Sequence, residues 1–113
     1  MKTLINTNEI EFEVTAHGAG LKKVLLEYAD SPTMLTQFAY GKLFPGDKIP
    51  EHSHNTMEEI FYFLKGKGVY TIDHTDWQVL PATVIRIPAG VSHSLTTSGT
   101  EELEFLYFGI ATQ

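Results

Sequence analysis

Two histidines that alternate along the chain, His52 and His54, are the residues whose types and spacing suggest chemistry most directly. In an extended strand, residues two positions apart point to the same face, roughly 6–7 Å apart along the strand, so the two imidazoles can share one ion. Two neighbouring carboxylates, Glu58 and Glu59, follow at the start of an apolar run and offer an oxygen donor. We therefore predict most of a divalent-metal site within this stretch.

The composition narrows the choice of metal ligands and partners. The sequence contains no cysteine, which excludes disulfides, iron–sulfur clusters and thiolate zinc sites, so nitrogen and oxygen must hold any metal. The net charge is −6 with only 8 Lys and Arg, which argues against nucleic acid or an anionic membrane as a partner. The N-terminus lacks the apolar stretch of a signal peptide, and no run approaches the ~18 residues of a membrane span. We therefore expect a cytoplasmic protein.

The elements that must position these residues are β-strands. Apolar residues recur at alternate positions or in short runs, and turn residues interrupt them about every 8–12 residues, as is typical of an antiparallel sandwich or barrel. The expected strands are, in chain order, 9–14, 21–28, 33–44, 48–54, 59–65, 69–73, 77–80, 82–88, 92–97 and 101–110. We expect one domain over residues 1–113, with N-terminal strands in 1–32 and a barrel core in 33–110.

Two of the expected strands, 59–65 and 101–110, are apolar on both faces. One face of each strand fills the interior of a small barrel, and the other face needs a cover. Without a helix to provide it, either an N-terminal strand or a second copy of the chain must do so. Because exposed apolar patches of this size are rare on monomers, we expect a homodimer with residues 1–32 near its interface.

The region around the two histidines resembles the first signature motif of the cupin superfamily, G(x)5HxH(x)3,4E(x)6G. Five residues agree with its fixed positions: Gly46, His52, His54, Glu59 and Gly66. Six residues separate Glu59 from Gly66, so the motif selects Glu59 rather than Glu58 as the carboxylate. Strand alternation also sends Glu58 to the opposite face.

The second cupin signature, G(x)5PxG(x)2H(x)3N, is similar to the segment from Ala82 to Thr97. Pro88, Gly90 and His93 are in place, whereas Ala82 stands for the glycine and Thr97 for the asparagine. We expect the Ala82 replacement to matter only if its φ is positive. The hydroxyl of Thr97 is expected to brace the second turn partly in place of the amide.

The resemblance implies an all-β fold, a double-stranded β-helix (jelly-roll) antiparallel barrel of the kind found in small single-domain bacterial cupins. It implies that His52, His54, Glu59 and His93 are metal ligands, and this set suits iron, manganese, nickel, copper or zinc. The expected partner is a small polar molecule, such as a sugar or an organic acid, in the barrel cavity. An enzyme of this kind would be a metal-dependent dioxygenase, lyase or isomerase, with Glu59 as a candidate catalytic base. The alternative is a non-catalytic sensor or storage barrel.

The remaining polar residues receive simpler interpretations. His17 and His74 fall in expected turns, and we interpret them as solvated surface residues. Arg86 alternates with isoleucines and is expected to point outwards into an ion pair. Ser53 lies on the face opposite the two motif histidines, which argues against a Ser–His hydrolase. Six side chains are candidates for lining the cavity, with core packing as the simpler reading: Gln37, Phe38, Tyr40, Phe61, Phe63 and Tyr107.

Overall fold

Alternating apolar residues and frequent turn residues fold the chain into β-strands. The computed structural model describes residues 2–113 and contains, in this part of the chain, ten strands and two single 3-10 turns at Thr7–Glu9 and Tyr28–Asp30. The strands are β1 (Glu13–Val14), β2 (Leu21–Glu27), β3 (Leu35–Leu43), β4 (Lys48–His52), β5 (Met57–Lys65), β6 (Lys67–Ile72), β7 (Thr75–Val79), β8 (Val84–Ile87), β9 (His93–Ser98) and β10 (Leu103–Ala111).

The strands form two sheets in which neighbouring strands run antiparallel. The larger sheet has the order β1-β2-β3-β10-β5-β8, and the smaller has the order β4-β9-β6-β7. Strands that are distant in sequence, such as β3 and β10, pair over nearly their whole length. This arrangement confirms the all-β antiparallel jelly-roll barrel that the sequence predicts.

None of the helices in residues 2–113 has the length and apolar character needed to cross a membrane.

The core lies between the two sheets and is largely aromatic. The Phe61 ring of β5 lies 5.2 Å from the Tyr70 ring of β6 and 5.4 Å from the Phe105 ring of β10, measured between centroids. All three side chains are buried, and burying each contributes roughly 1.5–3 kcal/mol. Gly41 on β3 leaves the space that the Phe105 ring occupies, because a Cβ there would overlap the ring.

The N-terminal region differs from the expectation of a strand over 9–14. Only Glu13–Val14 pairs, as β1, with Leu21 and Lys22 at the start of β2. Phe12 instead packs its ring 6.1 Å from that of Tyr40, on the outer face of the larger sheet, beneath the ammonium group of Lys23. The predicted strand is therefore wrong in length, because aromatic and cation–π contacts replace ladder hydrogen bonds.

The outer face of the larger sheet is only partly covered by this N-terminal segment. Tyr62 and Leu64 on β5 are each 43% exposed, and Val84 on β8 is 59% exposed. These three residues form a patch, which we call the β5–β8 patch, at the opposite side of the sheet from Phe12. The N-terminal cover expected from the sequence thus reaches Tyr40 and leaves the β5–β8 patch in solvent.

Candidate metal centre

The structure brings the four expected ligands together at one end of the space between the sheets. His52 ends β4 and is paired with His93, the first residue of β9. Glu59 comes from β5 in the other sheet, and His54 follows β4 in the loop before β5. One ligand atom from each of the four residues lies within 4.8 Å of the other three. Residues from both sheets can therefore contact one ion.

His54 occupies a different element from the one expected. The sequence predicts a strand over 48–54 with both histidines on one face, but β4 ends at His52. The backbone of His54 is instead held by Gly90, whose N–H donates to the His54 carbonyl at 2.7 Å. The turn of the second motif therefore positions a ligand of the first motif.

Backbone carbonyls fix the tautomers of two histidines. Nδ1 of His52 lies 2.8 Å from the carbonyl oxygen of Pro50, and Nδ1 of His93 lies 2.9 Å from that of Val91. A carbonyl only accepts, so each Nδ1 carries a proton and donates it. Each Nε2 is then left unprotonated in the neutral ring, which is the form that binds a metal.

Glu59 lies at the centre of the cluster. Its Oε1 is 3.3 Å from Nε2 of His54 and 3.3 Å from Nε2 of His93. Two ligands of one ion, each at ~2.1 Å and separated by angles of 90–109°, lie roughly 3.0–3.4 Å apart. The separations around Glu59 therefore match donors that share an ion.

Nε2 of His93 provides the clearest test of whether these residues fit a metal. Among the described residues it is the one buried side-chain nitrogen or oxygen without a hydrogen-bond partner. Glu59 is near it but without hydrogen-bond geometry. Buried polar atoms are nearly always satisfied, so an unsatisfied nitrogen beside a carboxylate and two imidazoles fits the role of a ligand to a cation. The donor set fits a divalent transition metal.

The surroundings shift the pKa values of two histidines in opposite directions. Burial lowers the pKa of His52, the carbonyl of Pro50 opposes this, and the nearby rings of His93 and His54 add to the lowering. Burial alone would also lower the pKa of His93, but the Glu59 carboxylate and the Val91 carbonyl outweigh it and leave the pKa raised. In the absence of a cation, His93 is therefore the ring that Glu59 favours in its charged form.

Glu58, the alternative carboxylate, faces the other way. Both of its oxygens accept hydrogen bonds from Arg86, one from Nε and one from a terminal nitrogen, each at 2.8 Å. Arg86 lies outwards on β8, which confirms the expected ion pair. This bidentate pair holds Glu58 on the outer face and leaves Glu59 to the interior.

The two departures from the second motif have separate consequences. Ala82 has a φ of 66°, so the replacement of glycine places an alanine in the left-handed region, where it is strained. Thr97 does not brace the turn at Pro88–Gly90. Its hydroxyl instead accepts from the Gly46 N–H at 3.0 Å, which ties β9 to the turn that precedes β4. The expectation that Thr97 braces the second turn is therefore wrong, because its hydroxyl braces the turn before β4 instead.

A cavity of about 420 Å³ opens beside the clustered residues. This volume falls within the roughly 300–1,000 Å³ of small-molecule sites. Its wall includes His52, His54 and Glu59. The remaining lining residues that carry polar groups or aromatic rings are Thr15, His17, Lys22, Gln37, Lys42, Phe61, Tyr70, Phe105 and Tyr107. Of the six candidates from the sequence, Gln37, Phe61 and Tyr107 line the cavity, whereas Phe63 is in the core.

Two tyrosines of the cavity wall keep their protons over the whole physiological range. Burial, with a smaller contribution from the charge of Glu59, raises the pKa of Tyr107 to about 12. The same two causes raise the pKa of Tyr70 well above its usual value. Both hydroxyls are therefore hydrogen-bond donors at neutral pH. Tyr70 is not part of either motif, so the sequence did not identify it as a cavity residue. Its inward direction follows from its pairing with Leu95 between β6 and β9.

His17 is an exposed residue, as predicted, and it also lines the same cavity. Its ring centroid is 6.2 Å from that of His52. Burial of the ring, together with the charges of His52 and Lys22, lowers the pKa of His17. Its position beside the cavity could not be predicted, because neither spacing nor periodicity connects this turn to the motif histidines. His74 is exposed, as predicted.

Comparison with known proteins identifies relatives over part of the chain. The chain is 38% identical over 69 residues to an oxalate-binding protein of Thermotoga maritima, covering 61% of this chain and 57% of that protein. An uncharacterised protein of Methanocaldococcus jannaschii is 36% identical over 61 residues, covering 54% of this chain and 49% of that protein. The matched regions therefore span about half the length of these curated relatives.

Solved structures extend the similarity to nearly the whole fold. A protein described as a predicted oxalate decarboxylase of Thermotoga maritima superposes with a TM-score of 0.88 at 29% identity, covering 96% of this chain and 99% of that chain. KdgF from Halomonas sp. superposes with a TM-score of 0.80 at 13% identity, covering 100% and 96%, and shows likeness of fold alone.

The model of the Cupin domain family matches residues 40–109. This range is more than half of the chain and includes all four clustered residues. The chain therefore belongs to the Cupin domain family.

Proposed function

We propose that this cupin binds a divalent transition metal and, on it, a small organic acid in the barrel cavity. The unsatisfied Nε2 of His93, buried between Glu59 and two further imidazoles, carries the proposal. Three imidazoles and one carboxylate leave coordination positions for oxygen donors of a ligand. The cavity beside them has the volume of a small-molecule site.

The residues divide the work between holding the metal and receiving the ligand. His52, His54, Glu59 and His93 hold an iron, manganese, nickel, copper or zinc ion, which supplies Lewis acidity at a bound oxygen. The carbonyls of Pro50 and Val91 keep two rings in the ligating tautomer. The hydroxyls of Tyr70 and Tyr107 donate hydrogen bonds into the cavity, and the aromatic wall excludes water from the ligand.

Organic acids are favoured over sugars because of the relatives. A protein named for oxalate binding is 38% identical over the matched 69 residues, and a structure described as a predicted oxalate decarboxylase superposes over 96% of this chain. Oxalate is therefore the first probe. If the protein is an enzyme, Glu59 is the candidate base, and a Glu59→Gln variant that keeps both metal and turnover would remove it from that role.

The metal proposal is tested by elemental analysis of protein purified without added metal, alongside His93→Ala and His52→Ala. We expect close to one ion per chain in the parent and a loss of metal in both variants. His74→Ala is the matched control, because this histidine is exposed and outside the cluster. Removal of the metal by a chelator should lower thermal stability in the parent and in His74→Ala only. The proposal would be overturned if the parent contains no metal and its thermal stability does not change when divalent ions are added.

We also propose that the chain forms a homodimer through the outer face of the larger sheet, with the β5–β8 patch at the centre of the interface and residues 1–32, which carry Phe12 on the same face, at its edge. Residues 33–110 form the barrel core of the one domain, 1–113. Tyr62, Leu64 and Val84 support this because a second copy would bury their exposed side chains. Sedimentation equilibrium should give twice the chain mass for the parent and the chain mass for Leu64→Glu. A monomeric parent at micromolar concentration would refute it.

A further inference from the structure

Two residues outside the metal cluster, Lys22 and His17, line the same cavity. Lys22 on β2 is paired with Gly41 on β3, and Gly41 faces inwards against the Phe105 ring. Paired residues on neighbouring strands share a face, so Lys22 is also directed inwards. His17 approaches from the loop before β2, with its ring 6.2 Å from that of His52.

The ammonium group of Lys22 has only a distant partner among the described residues. The Lys22 side chain is 18% exposed, and its Nζ lies 4.0 Å from Oε1 of Glu13. This distance is longer than a hydrogen bond of ~2.7–3.2 Å, and the Glu13 side chain is 56% exposed, so water competes for it. The ammonium group can therefore accept a closer anionic partner. An anionic group in the cavity would neutralise Lys22 at shorter range.

The ring of His17 is held in one orientation by its own loop. Nδ1 lies 3.0 Å from Oγ1 of Thr15 and 3.3 Å from the backbone nitrogen of Ala19. The Thr15 hydroxyl donates its proton to the Ala19 carbonyl at 2.7 Å, so these contacts fix the orientation of the His17 ring and not its tautomer. Because the loop engages Nδ1, Nε2 is the nitrogen that His17 can present to a ligand in the cavity.

We propose that Lys22 and His17 bind the outer carboxylate of a dicarboxylate whose inner carboxylate lies at the metal centre. The inference rests on the proposed function, because it takes the clustered residues as the inner binding site. Metal ligation alone accounts for binding of any carboxylate. A second positive charge on the cavity wall, that of Lys22, adds selectivity for a ligand with two carboxylates. The outer carboxylate of the ligand would displace Glu13 from Lys22. The negative charge of Glu13 would also repel that carboxylate.

Calorimetric titration of the metal-loaded protein tests this with acetate, malonate and succinate. Malonate is acetate with a second carboxylate, and succinate is a longer dicarboxylate that chelates a metal less well. We expect both dicarboxylates to bind at least about tenfold more tightly than acetate, the effect of one charge-assisted hydrogen bond. Lys22→Met should remove this preference while metal content and acetate affinity stay unchanged. His17→Ala should weaken dicarboxylate binding by a few fold, and Glu13→Gln should strengthen it.

Lys23→Met is the matched control, since Lys23 is the next residue of β2 and its ammonium lies over Phe12 on the outer face. It should bind all three acids like the parent. A dicarboxylate preference that survives in Lys22→Met arises from chelation and overturns the inference, as does equal binding of acetate and malonate by the parent. The proposed function fails separately, when metal-free and metal-loaded protein bind these acids equally well. If none of the three acids binds, both the inference and the proposed function are overturned.

Discussion

The buried hydroxyl of Thr97 joins the two signature motifs, and its removal tests that link. Oγ1 accepts from the Gly46 N–H at 3.0 Å, and the carbonyls of Phe44 and Asp47, at 3.2 and 3.1 Å, share its proton. Thr97 is 8% exposed, so water does not readily replace the hydroxyl. The turn held in this way leads directly into β4 and His52. Thr97→Val should therefore change both stability and the position of a metal ligand.

The magnitude follows from what valine keeps and loses. It keeps the β-branched shape, and it loses one donated and one accepted hydrogen bond, each of ~1 kcal/mol. Both carbonyls keep a backbone donor, since the Asp47 N–H donates to the Phe44 carbonyl at 2.9 Å and the Thr97 N–H to the Asp47 carbonyl at 3.1 Å, and the new buried methyl group returns ~0.8 kcal/mol. Gly46 is exposed, so its N–H can turn to water. We expect a net loss of about 1–2 kcal/mol in the free energy of unfolding.

Urea denaturation of the metal-free variants measures this loss. Thr97→Ser keeps the hydroxyl and removes one methyl group, so it should be destabilised by about 0.8 kcal/mol, less than Thr97→Val. Thr96→Val is the control on the exposed face of β9 and should lie within about 0.5 kcal/mol of the parent. Zinc affinity should fall in Thr97→Val and stay unchanged in Thr96→Val. The reasoning would be refuted by a Thr97→Val variant as stable as the parent, or by a Thr97→Ser variant less stable than Thr97→Val.

Three further predictions follow from the backbone and the histidines. Ala82→Gly relieves the strain at φ 66° and should raise the free energy of unfolding by about 0.5–1 kcal/mol in urea denaturation, whereas a lower midpoint would contradict the strain. Gly46 and Gly66 both have positive φ, but a Cβ at Gly66 also overlaps the backbone of Glu102, while a Cβ at Gly46 meets nothing within 4 Å. Gly46→Ala should therefore cost about 1–2 kcal/mol and Gly66→Ala about 1–3 kcal/mol more, and equal losses would contradict the packing argument. Zinc affinity should be highest at high pH and should fall as the pH drops through the raised pKa of His93, because a proton then competes with zinc for Nε2. The fall should begin above the usual histidine pKa of ~6.5. An affinity that does not change between pH 8 and 6 in zinc titrations would contradict this.

The strands of the barrel core could be predicted because their signal is local. In β5 and β10 the alternation of side chains and the flanking turns define both the strand and the inward face. Glu59 was separable from Glu58 for the same reason, since a one-residue shift reverses the face. His93 needed the resemblance, because its pairing with His52 joins residues far apart in sequence. The homodimer, the division of the domain, the role of Glu59 as a base and the cytoplasmic location stay predictions.

The errors fall where tertiary contacts decide the structure. The segment 9–14 alternates like a strand, but Phe12 packs against Tyr40 and leaves only two residues to pair. Thr97 was assigned to the nearer turn because local hydrogen bonds are the usual role of its side chain, whereas its partners lie about fifty residues earlier. The strain at Ala82 depended on a φ angle that composition does not reveal.

The metal cluster and the pair formed by Lys22 and His17 are encoded differently, and this limits what family membership says about the ligand. The clustered histidines and Glu59 lie within residues 40–109, the range that defines the family. Lys22 and His17 lie outside that range, in the segment whose structure was hardest to predict from sequence. Relatives can therefore share the metal cluster while differing at Lys22 and His17. If Lys22 sets the preference among carboxylates, selectivity in this protein depends on a part of the chain that the family motifs do not include.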